Sequence, residues 1–270
     1  MSKPVLSAES VTELDAAVRG VVLAAGSHAG IIAAYLGAKA GAHALILNDA
    51  GVGKDDAGIA GLAYLDAIGM AAAAVSHLSA RIGDGADTLA RGVISHANPV
   101  ALQAGVRIGM SAREAAGQLA LRAPEPGAPP AYSDGRWRVG DCKGSEIWAL
   151  DSVGKLEVKD NGRILLVGSH GALHGGRPDS ALNLHGAPIA ARAALFNDAG
   201  VGIEGIGITR LPELERRGIP AAAVDCMSAR IGDGRSMWET GIISYVNNCA
   251  RERGGVPGLA TAHWVELVCG

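Results

Sequence analysis

Short apolar runs, each closed by a glycine or a polar pair and followed by a stretch of helical composition, recur along this chain. Gly20-Val21-Val22-Leu23-Ala24-Ala25, Ala44-Leu45-Ile46-Leu47 and Met70-Ala71-Ala72-Ala73-Ala74-Val75 show no alternation of polar and apolar positions. Runs of that length between turn residues mark strands covered on both faces, and therefore a parallel sheet. Helices are predicted over 29–40, 59–68 and 88–97, the second closed by Gly69 where a left-handed cap is favoured. The pattern returns in Arg163-Ile164-Leu165-Leu166-Val167, Ala193-Ala194-Leu195-Phe196 and Ile219-Pro220-Ala221-Ala222-Ala223-Val224, with helices predicted over 211–217 and 237–246.

The recurrence is literal. Ser79-Ala80-Arg81-Ile82-Gly83-Asp84-Gly85 reappears at 228–234, and Asn48-Asp49-Ala50-Gly51-Val52-Gly53 at 197–202, both displaced by 149 positions. Gly26-Ser27-His28 returns at Gly168-Ser169-His170, displaced by 142, so the second copy holds seven extra residues in or near a glycine-rich loop at 172–178. This period is too long for a solenoid and predicts a domain-sized duplication. The expected layout is a first repeat over 1–119, a Pro-rich joint and short strand over 120–142, and a second repeat over 143–270. No helix can cross Ala123-Pro124-Glu125-Pro126-Gly127-Ala128-Pro129-Pro130. The predicted fold is three-layer α/β: two tandem βαβαβα units with parallel sheets, related by a pseudo-twofold axis. They form one doubly wound sheet or two lobes. Extended pieces beginning at Val5 and Ile147 are expected to add antiparallel strands or hairpins.

Composition narrows the class. Hydrophobic residues make up 49% and aromatics only 3%, with 39 glycines, so the core must be built from short aliphatic side chains, as suits helices lying close on a sheet. A net charge of −3 without a Lys/Arg cluster argues against a nucleic-acid partner. The four cysteines have no zinc-like spacing. Neither an apolar signal core after Met1 nor a bilayer-length apolar run is present, so a cytoplasmic protein without a membrane partner is expected. Ala-rich helices leave a homo-oligomer open.

All three repeated motifs fall where a strand ends and a helix begins, and in open parallel sheets such junctions gather at the ligand-binding carboxyl edge. Arg81 and Arg230 are candidates to grip a carboxylate or phosphate by two-pronged hydrogen bonds. If the strand runs on, Ser79 and Ser228 project to the same side as those arginines. Asp87, and Ser236 with Glu239, are the expected helix caps, which leaves Asp84 and Asp233 to polarise a water or proton; the alternative is an Arg–Asp pair that fixes the turn. Asn48 and Asn197 are read as substrate-binding, and Asp49 and Asp198 as catalytic, beside an anion seat of glycine N–H groups; plain turn formation is the alternative. The spacing does not fit a dinucleotide fingerprint. Ser27 and Ser169 lack the glycine of a nucleophile elbow and are assigned to starting a helix or holding a ligand oxygen. His28 and His170 are acid–base candidates, with a loop-bonded histidine as the alternative.

The two copies differ in informative places. Ser76-His77 stands opposite Asp225-Cys226, Lys54-Asp55-Asp56 opposite Ile203-Glu204-Gly205, and His96 opposite Tyr245. The second copy alone carries His174, Arg177 and His185. Cys226 is a candidate nucleophile if a histidine lowers its pKa; Asp225 pulls the other way, and a buried cysteine acting as a small hydrophobe is the alternative. No cofactor is expected. A metal held by His170, His174 and Asp198, or by His28, Asp49 and His77, has no recognised spacing behind it. The function expected is hydrolysis of an amide or lactam bond in a small anionic metabolite. Proton abstraction by an isomerase or lyase, a non-catalytic anion sensor, and loops that serve folding alone are the alternatives.

Overall fold

The computed structural model describes residues 2–184 and 186–269, apart from the side chain of Glu13; His185 lies outside them. The chain divides into two compact units. The first comprises Met1–Val52, Asp56–Ser133 and Gly202–Glu204, the second Gly53–Asp55, Asp134–Val201 and Gly205–Gly270.

In the first unit, strands β1 (Val5–Ala8), β2 (Val22–His28), β3 (Ala44–Asn48), β4 (Ala72–Val75) and β5 (Ile94–Ala97) lie side by side in chain order. The first four are parallel and β5 is antiparallel. Helices α1 (Ile31–Lys39) and α2 (Ala60–Asp66) cross between strands. With Leu23, Leu45 and Leu47 they enclose one core. Helices α3 (Gly85–Arg91), α4 (Pro99–Gln103) and α5 (Ala112–Arg122) cover the other face over Val22, Ile46 and Val75. Helices thus sandwich the sheet, and the apolar runs of its central strands β2, β3 and β4 follow from burial on both faces.

The second unit is built alike. Strands β6 (Arg136–Cys142), β7 (Ser145–Leu150) and β8 (Ile164–His170) are followed by a two-residue pair, β9 (Asn183–Leu184) and β10 (Ala187–Pro188). Then come β11 (Ala193–Asn197), α6 (Arg210–Arg216), β12 (Ala221–Val224), α7 (Gly234–Thr240), β13 (Ile243–Val246), α8 (Asn248–Arg251) and α9 (Thr261–Val268). The main sheet runs β13-β12-β11-β8-β7-β6, parallel from β7 to β12, with an antiparallel strand at each edge.

The α/β class, the parallel-dominated sheets and the helices between strands agree with the expectation, and of the two layouts left open the chain has separate main sheets of five and six strands. Three details differ. The extended pieces at Val5 and Ile147 pair in parallel, with β2 and β8, and only β6 adds a hairpin. The helices expected over 88–97 and 237–246 are shorter. Each stops before Gly92 or Gly241, where a built Cβ would lie 2.3 Å from the carbonyl of Thr88 or Met237, and an antiparallel strand follows. Finally, the described residues of the crossover from β8 to β11 contain no α-helix. Where α1 lies in the first unit, the second has 3-10 turns and the β9–β10 pair, held to α6 by Arg210.

Candidate active site

The glycines of the repeated motifs are explained by contact rather than by turns alone. A Cβ built on Gly26 would lie 2.2 Å from the Asp84 amide nitrogen, and one on Gly85 would lie 2.2 Å from the Ala8 carbonyl oxygen. In the second unit Gly168 and Gly234 are confined in the same way, against Asp151, Asp233 and Leu150. The first-motif and third-motif backbones therefore touch directly, and hydrogen bonds from Gly83 N to Gly26 O (2.7 Å) and from Gly232 N to Gly168 O (2.8 Å) tie them.

Most polar letters of the motifs are engaged in the same wiring. Ser27 and Ser169 do not start a helix; their hydroxyls accept from Val11 N and Val153 N at 3.0 and 3.1 Å. Asn48 and Asn197, both fully buried, donate to Ala80 O and Ala229 O and accept from the amides of Ala50 and Ala199. Ser79 and Ser228 lie in turns, not on continuing strands, and bridge Ser76 O to Val93 N and Asp225 O to Ile242 N. Asp84 and Asp233 are the N-caps of α3 and α7, accepting from Asp87 N and Ser236 N at 2.9 Å each. That corrects the expectation that other residues cap these helices. Asp87 and Ser236 instead accept from the amides of Arg81 and Arg230.

The arginines are paired. Arg81 grips Glu204 through Nε (2.8 Å) and Nη2 (2.5 Å), and Arg91 joins the same carboxylate while also holding Asp87. In the second unit Arg230 binds Asp233 and Asp55. Glu204 and Asp55 occupy equivalent places in the two copies of the sequence.

After β3 and after β11 the chain makes four successive left-handed residues. Their φ angles are 50°, 75°, 62° and 72° from Ala50 to Gly53, and 51°, 71°, 62° and 70° from Ala199 to Gly202. Valine in this conformation is strained by about 1–2 kcal/mol, and such strain collects at functional sites. The turn presents Asp49 in the first unit and Asp198 in the second, each nearly buried.

Here the two units diverge. Asp49 Oδ1 accepts from the Nδ1 and the backbone N–H of His77 (2.8 and 2.9 Å) and from Gly51 N. Its Oδ2 accepts from the Ser95 hydroxyl at 2.8 Å, and His96 Nδ1 lies 3.1 Å from that hydroxyl. Because the carboxylate accepts, Nδ1 is the donor of His77, and in the neutral ring the lone pair is on Nε2. Burial pushes the Asp49 carboxyl up, but hydrogen bonds from the His77 ring and backbone and from Ser95 outweigh it and hold the pKa below its ordinary value. His77 is 20% exposed at its side chain, enough to meet a ligand.

Asp198 has no imidazole. It accepts from Gly200 N, Cys226 N and Ser244, and burial keeps its pKa above the ordinary value. Burial, followed by the charges of Asp198 and Asp225, pushes the Cys226 thiol up to about 12. The environment opposes a nucleophilic thiolate there. Asp198, Asp225 and Cys226 place one potential metal-ligand atom each within 4.8 Å of one another, and among the described residues this is the one such group. Carboxylate and thiol ligands suit zinc. The two histidine-containing sets considered from sequence do not form such a group among the described residues.

His28 and His174 are buried neutral. His28 Nδ1 accepts from Gly30 N, and burial lowers its pKa to about 4. Burial, then the charges of Arg210 and Arg177, lowers that of His174 to about 3. His170 sits with its Nδ1 facing Ala172 N and its ring 5.8 Å from that of His174. Arg177 is exposed, 4.0 Å from Asp179. An acid-linked loss of stability follows. Unfolding returns each buried ring to an ordinary pKa of 6.5, so below that pH the unfolded chain binds protons that the fold refuses. Stability is fully present above pH 6.5 and falls through about 4 for His28 and about 3 for His174, by on the order of 3 and 5 kcal/mol respectively. Urea midpoints from pH 7 to pH 4 should fall steadily, and His28→Gln should flatten the slope.

Sequence reasoning overlooked Ser95 and its counterpart Ser244, although they too stand 149 positions apart. His77 was noticed as a difference between copies and as a possible metal ligand, not as an acid–base group. Comparison of the chain with protein-family models, with curated proteins and with solved structures finds no match.

Proposed function

We propose that the protein is an enzyme that hydrolyses an amide or lactam bond in a small molecule, with His77 as general base and Asp49 as the group that orients it. The observation that carries this reading is the 2.8 Å contact between Asp49 Oδ1 and His77 Nδ1 at the carboxyl ends of adjacent parallel strands. A carboxylate on Nδ1 fixes the imidazole tautomer, turns Nε2 outward as the acceptor, and stabilises the imidazolium formed when a proton is taken. No side-chain hydroxyl or thiol among the described residues has a hydrogen bond to Nε2, which favours a water molecule as the attacking group. Proton abstraction from carbon by the same nitrogen is the second reading. Exchange of solvent deuterium into unreacted substrate would favour it over hydrolysis.

An anionic group on the substrate is supported by Arg81. It and Glu204 are 40% and 45% exposed at their side chains, and an exposed pair is worth no more than about 1 kcal/mol, so an incoming carboxylate competes for the guanidinium. Arg81→Ala should raise KM for a carboxylate-bearing substrate about tenfold or more and leave that for its neutral amide analogue unchanged. Equal effects on both would remove the anion from the proposal. Turnover is tested on a panel of small amides and lactams. A wild-type protein that leaves all of them, and their α-protons, untouched removes the enzyme reading.

A further inference from the structure

Cys142 ends β6, immediately before the two-residue turn Lys143-Gly144, whose φ angles of 44° and 81° make a tight hairpin. Cys269 follows the last residue of α9, and its carbonyl is held by Arg192 at 2.8 Å. The Cys269 thiol lies 3.7 Å from the Cys142 carbonyl oxygen and is in hydrogen-bond contact with the Cys142 thiol. Both side chains belong to one apolar cluster with Trp264, Val265 and Val268. They are neighbours in space although 127 residues apart in the chain. The other two cysteines, Cys226 and Cys249, sit at the end of β12 and in α8.

Helix α9 is the least satisfied element around this pair. Thr261 Oγ1 and Trp264 Nε1 are buried within it and have no hydrogen-bond partner among the described residues. A buried polar atom without a partner is a standing cost to the docked state, because undocking returns it to water. The helix is otherwise held at its start by Thr261 N to Gly241 O and by the bridge between Ile242 and Ala260. Its far end relies on apolar contacts and Arg192.

We propose that Cys142 and Cys269 are a disulfide-forming pair that latches the end of α9 to the β6–β7 hairpin when a small-molecule disulfide such as oxidised glutathione is present. Cys142, the half-exposed partner, attacks one sulfur of the glutathione disulfide as the thiolate, forms a mixed disulfide and releases one glutathione thiol. Cys269 then attacks the Cys142 sulfur, closes the protein disulfide and releases the second glutathione thiol. Two protein thiols are oxidised and one glutathione disulfide is reduced; the two thiol protons leave on the two glutathiones. Burial pushes the Cys269 thiol up to about 12, which suits the slower, resolving partner.

The test is to incubate the full-length chain in graded mixtures of oxidised and reduced glutathione and to record intact mass, reactive thiols and Tm. The expected result is the loss of two hydrogen atoms, a fall from four titratable thiols to two, and a 142–269 cross-linked peptide in a non-reducing digest. Tm should rise by about 5 °C or more, because a long loop is closed. Cys142→Ser and Cys269→Ser should each abolish the rise, while Cys249→Ser should keep it. Four remaining thiols, a stable glutathione adduct on Cys142 without cross-linking, or a cross-link that leaves Tm unchanged would each overturn the proposal.

Discussion

His77→Ala is expected to lower kcat by about 10²–10⁴-fold, the usual contribution of a positioned acid–base group, with Tm held within about 2 °C of wild type. The side chain is only partly buried, and its main task in the fold, a backbone N–H to Asp49, survives the substitution. Asp49→Asn should cost a similar factor for a different reason. The amide leaves a ring without its carboxylate, so the imidazolium formed in the reaction loses its counter-charge. The two effects should not add, because both substitutions disable one unit; the double variant should be close to the worse single. Ser95→Ala removes one donor from Asp49 and should cost less, about 10-fold. If His77→Ala turns over at the wild-type rate on the substrate found by the panel, the general-base assignment is wrong. If only the double variant loses activity, the two residues act separately and the dyad is not the centre.

The layers of the fold were legible because a strand covered on both faces must be apolar at every position, and the runs at 21–25, 44–47, 70–75, 164–167, 193–196 and 221–224 all are. What followed α3 and α7 was harder. Ile94 to Ala97 and Ile243 to Val246 mix apolar and polar residues as an amphipathic helix would, and their strand state is set by pairing with β4 and β12, which the local pattern does not record. The repeated motifs were legible in the sequence, and their hydrogen-bond partners only in part. Identical letters marked the residues that the scaffold needs in both units: the Gly26 and Gly85 contacts, the Asn48 and Asn197 bridges, the Asp84 and Asp233 caps. The proposed chemistry rests instead on a place where the copies part, His77 against Cys226. Arg81 and Arg230 were read as anion grips with an Arg–Asp pair as the alternative, and that pair forms between Arg230 and Asp233. Glu204 and Asp55, more than a hundred positions from Arg81 and Arg230, could not be picked out as partners from the sequence.

Arg210→Leu is expected to destabilise the second unit by about 3–5 kcal/mol, a fall of roughly 10 °C in Tm. Arg210 is 1% exposed, and no carboxylate among the described residues forms an ion pair with it. It donates to the carbonyls of Ala172, Ser180 and Ala181, stands 3.3 Å from His174 Nε2, and lies over the Phe196 ring at 5.0 Å. Burial lowers its pKa only to about 10, so the cation is kept at neutral pH. Leucine replaces the stem and strands three buried carbonyls, each needing a donor that water cannot supply there. Arg210→Lys should recover only part of the loss, since one ammonium cannot span carbonyls arranged for a planar fork. The first unit states the opposite requirement at the equivalent position. Gly61 N donates to Ala29 O as Arg210 N donates to Gly171 O, but there α1 leaves no room: a Cβ on Gly61 would lie 2.6 Å from Ala29 O and 2.7 Å from the Ala34 Cβ. Gly61→Ala should therefore destabilise by overpacking, by about 1–3 kcal/mol. One backbone position thus needs no side chain where a helix crosses it and the longest polar one where the helix is replaced by a loop. Urea unfolding of Arg210→Leu, Arg210→Lys and Gly61→Ala in parallel checks the reading, and an Arg210→Leu protein as stable as wild type would refute it.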